Sequence, residues 1–273
     1  ILGMTITSYV RSHNRPLVFV PVYIGYERLM EGETYVRELA GRPKQRENLW
    51  TLLASIRKVR RIYGQVQVNF GQPLPLSGFL DSYRPNWQSA AESGNEDWLR
   101  GATREVAFTL ASRINDAAVI NPVSLIALSL LATPRHTADL HTLYRLIGHF
   151  QAIDREVPFS AQRIACPDTP EQIIAHVKRL GIIEEIPHPF GNLVRVVDSQ
   201  VQQLPYFRNN VLHLFALPAL IACLLGTNHH LSVERLNKAI VGIYDLLRSA
   251  LFLRWSEDAL RHEVIRLIDL LAG

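Results

Sequence analysis

Residues 18–27 read Val-Phe-Val-Pro-Val-Tyr-Ile-Gly-Tyr-Glu, and this stretch decides what the first part of the chain can be. The run is apolar, rich in β-branched residues, and ends at a glycine, an aromatic residue and a carboxylate. It predicts a buried strand whose carboxyl end opens onto a site. A second strand is predicted at Val66–Phe70, stopping at Gly71-Gln72-Pro73, with an amphipathic helical pattern between the two. Together these elements predict a βαβ unit with its chemistry at the strand ends.

The connecting helix is predicted to begin after Asn48, a suitable N-cap, and to end at Gly64. Apolar residues recur at helical spacing on one face: Leu49, Leu52, Leu53, Ile56, Val59 and Tyr63. The opposite face carries four positive charges within five residues: Arg57, Lys58, Arg60 and Arg61. This basic face is either solvated, or it binds anions such as a phosphate, a carrier protein or lipid headgroups.

Composition places the chain among folded globular proteins. Its 273 residues are 48% hydrophobic and 20% charged, which excludes disorder as the main state and leaves room for one large core or two smaller ones. The net charge of +4 is a mild bias towards anionic partners and too small to indicate nucleic acid. The two cysteines, Cys166 and Cys223, have no metal-ligand or redox spacing, so we expect a reducing compartment and no metal.

The organisation of the chain changes after the second strand. Residues 73–95 are rich in Pro, Ser, Gly and Asn, which predicts a linker or surface loop between an α/β part at residues 1–88 and a helical part at residues 98–273. Seven helical patterns follow, at residues 98–117, 122–131, 138–154, 170–180, 206–225, 233–255 and 257–271. The chain begins at Ile1 as if in a loop entering a helix, so we expect part of the α/β core to precede it.

A histidine and an aspartate stand five residues apart at His149 and Asp154, the spacing of the catalytic pair in glycerolipid acyltransferases. The pair lies inside an amphipathic helical pattern rather than in a loop beside the strands. We therefore interpret the spacing as accidental.

A helix ending at Gly181 is followed by a hairpin pattern, residues 182–186 and 193–197, in the manner of a winged helix. This raises DNA binding as a rival function. The helix and hairpin carry three basic residues against three acidic ones, Glu171, Glu184 and Glu185. Because phosphate contacts need a basic surface, we expect no nucleic acid partner.

Residues 211–225 form an apolar run with no formal charge. At about 1.5 Å per residue the run extends roughly 22 Å, which is short of the roughly 30 Å hydrocarbon core, and Pro218 interrupts it. A buried core helix is the first interpretation. An interfacial helix that enters one leaflet is the second, and a true span is the third.

Residues 20–27, Val-Pro-Val-Tyr-Ile-Gly-Tyr-Glu, resemble the fourth conserved block of the glycerol-3-phosphate acyltransferases. Residues 64–73, the Tyr-Phe-Arg-Asn-Asn at 206–210 and the Leu-Phe-Leu-Arg-Trp at 251–255 are similar to the large bacterial membrane-bound type. These matches span nearly the whole chain in family order. The resemblance implies the C-terminal part of a glycerolipid acyltransferase α/β domain, followed by a helical C-terminal domain with a short β-hairpin.

In that family a catalytic His-x4-Asp block, an arginine block and a block with Ser and Arg all precede the strand at residues 18–26. The resemblance therefore implies that no catalytic residue lies in this chain, which alone should be inactive. The family histidine takes a proton from the 1-hydroxyl of glycerol 3-phosphate, the aspartate orients that histidine, and the alkoxide attacks an acyl thioester. The product resembles lysophosphatidic acid, in the first step of phospholipid synthesis.

The resemblance implies that substrate-binding residues lie on the first strand and at its exit: Pro21, Val22, Tyr23, Tyr26 and Glu27. Glu27 either forms an ion pair with a neighbouring arginine or orders the site directly. The partners implied are glycerol 3-phosphate, acyl-carrier protein or acyl-CoA, and an anionic membrane surface, with no cofactor. The implied location is the cytoplasmic face of the bacterial inner membrane, by peripheral or monotopic attachment. The alternative is a non-catalytic helical module that binds a membrane or a partner protein.

Overall fold

A computed structural model describes six stretches of the chain: residues 1–12, 15–29, 64–92, 96–189, 191–227 and 231–272. The predicted connecting helix lies outside the described residues, and so do Arg57, Lys58, Arg60 and Arg61. The described part is mixed α/β, mostly helical, with small sheets.

The first half of the described chain combines four short strands with four helices. In chain order they are α1 (Leu2–Ser12), β1 (Val18–Phe19), β2 (Val22–Tyr26), β3 (Val66–Phe70), β4 (Leu74–Pro75), α2 (Leu76–Tyr83), α3 (Trp87–Glu92) and α4 (Leu99–Asp116). The second half is dominated by longer helices. Its elements are α5 (Pro122–Leu131), β5 (Thr137–Asp139), α6 (Leu140–Glu156), α7 (Pro170–Arg179), β6 (Ile183–Ile186), β7 (Leu193–Val196), α8 (Leu204–Thr227), α9 (Val233–Leu251) and α10 (Glu257–Ala272).

The two predicted strands run antiparallel, so the expected βαβ unit is wrong. Val22 pairs with Phe70 and Tyr26 with Val66. The pairing continues past a bend, where the Gly71 N–H donates to the Pro21 carbonyl at 2.9 Å, into β1 and β4. The chain therefore leaves β2 and returns to β3 at the same end of one two-stranded ribbon. Two apolar runs separated by a long segment do not determine whether the strands pair parallel or antiparallel. The sequence pattern therefore led to the wrong relative direction.

The ribbon is half-buried, whereas a fully buried strand was predicted. Its inner face turns Tyr23 and Gly25 towards the helical part, and Tyr23 is 7% exposed. The outer face is apolar and open, with exposed fractions of 45–65% at four of its side chains: Ile24, Val66, Val68 and Phe70. Val20, which precedes β2, is also exposed, at 51%. Successive side chains of a β-strand point to opposite faces. Because apolar residues occupy both faces of this ribbon, the run looked fully buried although one face is open.

The predicted linker at residues 73–95 contains two helices, α2 and α3. Leu76 and Leu80 are fully buried and Trp87 is 1% exposed, and the Trp87 indole N–H donates to the Asp81 carboxylate at 2.9 Å. They form a small core with α1 and with the first half of α4. Three large apolar side chains at suitable spacing therefore outweigh a composition typical of a loop, because their burial stabilises the helices.

The helices of the second half match their predicted positions closely. Asn121 caps α5 and Thr169 caps α7, each with a reciprocal capping box and a proline in the first turn. These contacts satisfy N–H groups that a helix start leaves without partners. Helix α5 is buried over nearly its whole length, and α6, α7 and α8 pack around it.

The apolar run at residues 211–225 belongs to α8, which is longer than predicted. At 24 residues the helix extends roughly 36 Å, so the argument that the run is too short to span a bilayer is wrong. By length and composition α8 could cross a membrane. Its contacts are those of a core helix, since it packs on α5 and buries Val211, Leu214 and Leu217. These contacts favour the first of the three interpretations.

The predicted helix and hairpin are α7, β6 and β7. A strand that the sequence analysis missed, β5, pairs with β7 to complete a three-stranded antiparallel sheet in the order β5-β7-β6. With α5 and α6 the arrangement is that of a winged helix. Helix α7, which follows α6 in that arrangement, faces the end of the ribbon.

Candidate functional site

Glu27 is buried at the open end of the ribbon, with 1% of its surface exposed. Its Oε2 accepts a hydrogen bond from the Gln65 N–H at 2.8 Å and lies 2.9 Å from Nε2 of His176. The Glu27 N–H in turn donates to the Gln65 carbonyl at 3.2 Å. The carboxylate therefore joins both strand ends to helix α7. Among the described residues its side-chain partner is a histidine, and the ion pair with an arginine that the sequence suggested is not seen there.

Gly64 makes this close packing possible. Its φ is +65°, a conformation that glycine adopts without strain. A Cβ at this position would stand 2.6 Å from Oε2 of Glu27 and 2.8 Å from the Glu27 Cβ. Any side chain at residue 64 would therefore displace the carboxylate.

The next residue makes a second link to the same helix. Nη1 of Arg28 donates to the carbonyl of Leu180, the C-cap of α7, at 3.1 Å. The carbonyls at a helix C-terminus have no partner within the helix and carry partial negative charge, so a guanidinium suits this position. Consecutive residues at the strand exit are thus held by one helix.

A cleft of about 450 Å³ opens beside this junction. Most of its lining side chains are polar: Glu27, Gln65, Gln67, Cys166, Asp168, Gln172, His176 and Arg179. Ile120, Pro122 and Pro167 complete the wall. Burial raises the pKa of the Cys166 thiol to about 11, so the side chain stays protonated and does not suit nucleophilic attack. The cleft offers hydrogen-bond donors, acceptors and a cationic side chain to a polar ligand.

The other predicted site residues lie outside the cleft lining. Pro21 is buried at the ribbon bend, and Val22 is half-buried on the outer face. The Tyr23 hydroxyl donates to the Val119 carbonyl at 3.5 Å, and burial raises its pKa to about 12. Tyr26 is half-buried, and its carbonyl accepts a hydrogen bond from the Asn121 amide at 3.3 Å. Of the five residues, the structure brings only Glu27 to the cleft.

The ribbon is fixed to the helical part by the end of α4, a joint that sequence reasoning missed. The Asn69 amide donates to the carbonyls of Ala117 and Gln162 at 2.9 and 2.8 Å. Gly71 lies so close to α4 that a Cβ there would meet the Arg113 carbonyl at 2.6 Å. Asn69 and Gly71 therefore attach the ribbon to the end of α4.

The last segment of family resemblance, residues 251–255, meets the same end of α4. Arg254 pairs with the Asp116 carboxylate at 3.1 Å, and the Asn115 amide donates to the Leu251 carbonyl at 2.7 Å. Nε2 of His213 lies 3.1 Å from the Asn115 carbonyl. Burial lowers the His213 pKa to about 4, so the ring is neutral at neutral pH. The Leu-Phe-Leu-Arg-Trp segment therefore has a structural role at this joint.

His149 and Asp154 do not form a catalytic pair. His149 is exposed on α6, and the buried Asp154 carboxylate accepts from Nε of Arg163 at 2.5 Å. The Asp154 carbonyl also accepts from Nη2 of Arg163 at 2.7 Å. The interpretation of this spacing as accidental is therefore supported by geometry.

Charge on the winged-helix hairpin is internally paired. Lys178 lies 2.6 Å from Glu185, and Arg195 lies 2.6 Å from Glu184. Across the described ranges, no cluster of three or more His, Cys, Asp or Glu side chains is placed to hold a metal ion.

Comparison with known proteins gives one consistent result. Residues 35–273 match the model of the glycerol-3-phosphate acyltransferase C-terminal region. A glycerol-3-phosphate acyltransferase of Xylella fastidiosa (strain M23) is 41% identical over 273 residues, covering 99% of this chain and 32% of that protein. One from Xanthomonas axonopodis pv. citri (strain 306) is 39% identical, with 99% and 31% covered. One from Pseudomonas aeruginosa (strain LESB58) is 40% identical over 263 residues, with 95% and 31% covered. The chain spans about a third of the length of these relatives.

Proposed function

The chain belongs to the family of glycerol-3-phosphate acyltransferase C-terminal regions, and we propose that it serves an enzyme that acylates glycerol 3-phosphate. A fatty acyl group passes from an acyl thioester to the 1-hydroxyl of sn-glycerol 3-phosphate, giving lysophosphatidic acid for phospholipid synthesis. The observation that carries this proposal is the similarity at about 40% identity along 99% of the chain to proteins of that name.

In this proposal the proton acceptor comes from outside the chain. His149 and Asp154 are the one His-x4-Asp spacing in the sequence, and the contact with Arg163 occupies that aspartate. The catalytic histidine and aspartate are therefore placed in the remaining two thirds of a protein as long as the relatives. The chain contributes the strand exit around Tyr26 and Glu27 and the helical part that holds it.

The open face of the ribbon supports this division. Four apolar side chains on this face are 45–65% exposed: Ile24, Val66, Val68 and Phe70. They are β-branched or aromatic, as is common for residues packed against the face of a β-sheet. The α/β part of residues 1–88 thereby becomes the second half of a catalytic domain whose first half covers this face. Residues 98–273 form the helical domain that docks on its inner side.

The acyl donor is proposed to be acyl-carrier protein or acyl-CoA. Both are anionic, and both suit the basic face at Arg57, Lys58, Arg60 and Arg61. The same face suits the anionic cytoplasmic surface of the bacterial inner membrane, where peripheral or monotopic attachment would place the enzyme. Leu217 is 2% exposed and belongs to the core, so it is not a contact for insertion. Ile243 and Leu246 on α9, which are 42% and 73% exposed, are apolar side chains available to a lipid surface.

The test is the product formed by a purified longer protein that contains this chain. It is incubated with labelled glycerol 3-phosphate and either palmitoyl-CoA or palmitoyl-acyl-carrier protein, and the product is identified by mass spectrometry. We expect 1-acyl-glycerol 3-phosphate that requires the thioester. Absence of product with both donors, in a folded protein, would favour the alternative of a non-catalytic helical module that binds a membrane or a partner.

A further inference from the structure

We propose that His176 is a positioning residue for acyl transfer: from the helical part it holds the Glu27 carboxylate and so fixes the strand exit. The inference rests on the proposed function and extends it to a residue of the winged-helix part. Residues 27 and 176 are 149 positions apart, and nothing in the local sequence links them.

The geometry concentrates three groups on one oxygen. Oε2 of Glu27 lies 2.8 Å from the Gln65 nitrogen and 2.9 Å from Nε2 of His176, and Gly64 packs against the same carboxylate. The Glu27 side chain is 2% exposed and that of His176 is 24% exposed. A buried carboxylate needs hydrogen-bond donors to offset its lost hydration, and within the described ranges the imidazole supplies one of the two that reach Oε2.

His176 is not needed to hold its own helix. Ile173, Ile174 and Val177 of α7 are all buried in the main core. The capping box at Thr169 fixes the start of the helix independently. Loss of the imidazole should therefore leave α7 in place and act on the Glu27 carboxylate, and through it on the strand exit and the cleft that both residues line.

The chemistry of the contact allows a conservative replacement. A glutamine at residue 176 can present an amide N–H near the position of Nε2, whereas a leucine of similar size presents no donor. His149 provides the matched control, because it is an exposed histidine on α6, away from the cleft lining. The comparison of His176→Leu, His176→Gln and His149→Leu thus separates the hydrogen bond from the loss of a histidine as such.

The experiment measures kcat/KM for acyl transfer and the melting temperature of each variant, in the longer enzyme. His176→Leu should lower kcat/KM about tenfold or more, because hydrogen bonds to charged groups are among the stronger ones. His176→Gln should stay within about threefold of the parent, and His149→Leu should equal it. The double variant His176→Leu/Glu27→Gln should be no worse than the more impaired of the two single variants, since both remove the same contact.

Three results would overturn the inference. One is a His176→Leu enzyme with parental kcat/KM. Another is a parallel fall of activity and melting temperature in both His176 variants, which would mark a purely structural contact. The third is additive losses in the double variant, which would mean that the residues act separately. An inactive parent enzyme would instead refute the proposed function, so the two failures are distinguishable.

Discussion

Replacement of Phe70 by serine should affect the chain alone and the longer protein differently. In the described structure the Phe70 side chain is 65% exposed on the outer face of the ribbon. If the first half of a catalytic domain covers that face, the same side chain is buried in the longer protein. Phe70→Ser therefore tests whether Phe70 contacts the covering half of the catalytic domain, a contact that only the longer protein can make.

The magnitude follows from the exposed area. A phenylalanine buries roughly 200 Å² when fully covered, so a side chain that is 65% exposed leaves about 130 Å² for a further partner. At about 25 cal/mol per Å² this area corresponds to about 3 kcal/mol. In the chain alone, Phe70→Ser should change the free energy of unfolding by no more than about 0.5 kcal/mol, as exposed substitutions usually do.

The assay is thermal and denaturant unfolding of both proteins, with activity measured on the longer one. Leu246→Ser is the matched control, because Leu246 is 73% exposed on α9, outside the ribbon. We expect Phe70→Ser to lower the melting temperature of the longer protein by several degrees and Leu246→Ser to leave it unchanged. Equal small shifts for the two variants in the longer protein would refute the reasoning that the ribbon face is covered there.

Three further predictions concern charge. The His213 pKa is lowered from 6.5 to about 4, so between these pH values the unfolded chain binds a proton that the folded chain does not. The free energy of unfolding should therefore fall by up to about 3 kcal/mol as pH drops from about 6.5 to about 4, and His213→Gln should flatten this slope in pH-dependent denaturation. Glu27→Gln in the longer enzyme should lower turnover before the melting temperature changes, whereas parallel losses would mark a structural residue. Tyr26→Phe is the companion that tests the hydroxyl alone. Replacing Arg57, Lys58, Arg60 and Arg61 by Gln should weaken sedimentation with anionic vesicles, at about 1 kcal/mol per charge, and high salt should do the same. Normal vesicle binding with a lost response to the acyl donor would assign the face to the carrier instead.

Helix positions could be predicted because their signals are local. The helix predicted at residues 170–180 with its stop at Gly181 is α7, which Thr169 caps, since caps and turns depend on neighbouring residues. The hairpin β6–β7 followed from the same kind of signal. Strand β5, three residues long, carries too little pattern to stand out.

Ribbon direction and the site contacts could not be predicted in the same way. Antiparallel pairing of β2 with β3 depends on where the chain between them returns, and local periodicity carries no such information. The pairing of Glu27 with His176 joins residues from different halves of the chain. The burial of Leu76, Leu80 and Trp87 was not predicted either. The surrounding residues have the composition of a loop, so these three core residues were assigned to a linker.

We propose that this chain supplies the strand exit and its helical support to an acyltransferase whose proton acceptor lies elsewhere. The most direct measurement compares acyl transfer to glycerol 3-phosphate by purified residues 1–273 and by the longer protein, under the same conditions. We expect thioester-dependent lysophosphatidic acid from the longer protein and none from residues 1–273. Formation of lysophosphatidic acid by residues 1–273 alone would contradict it.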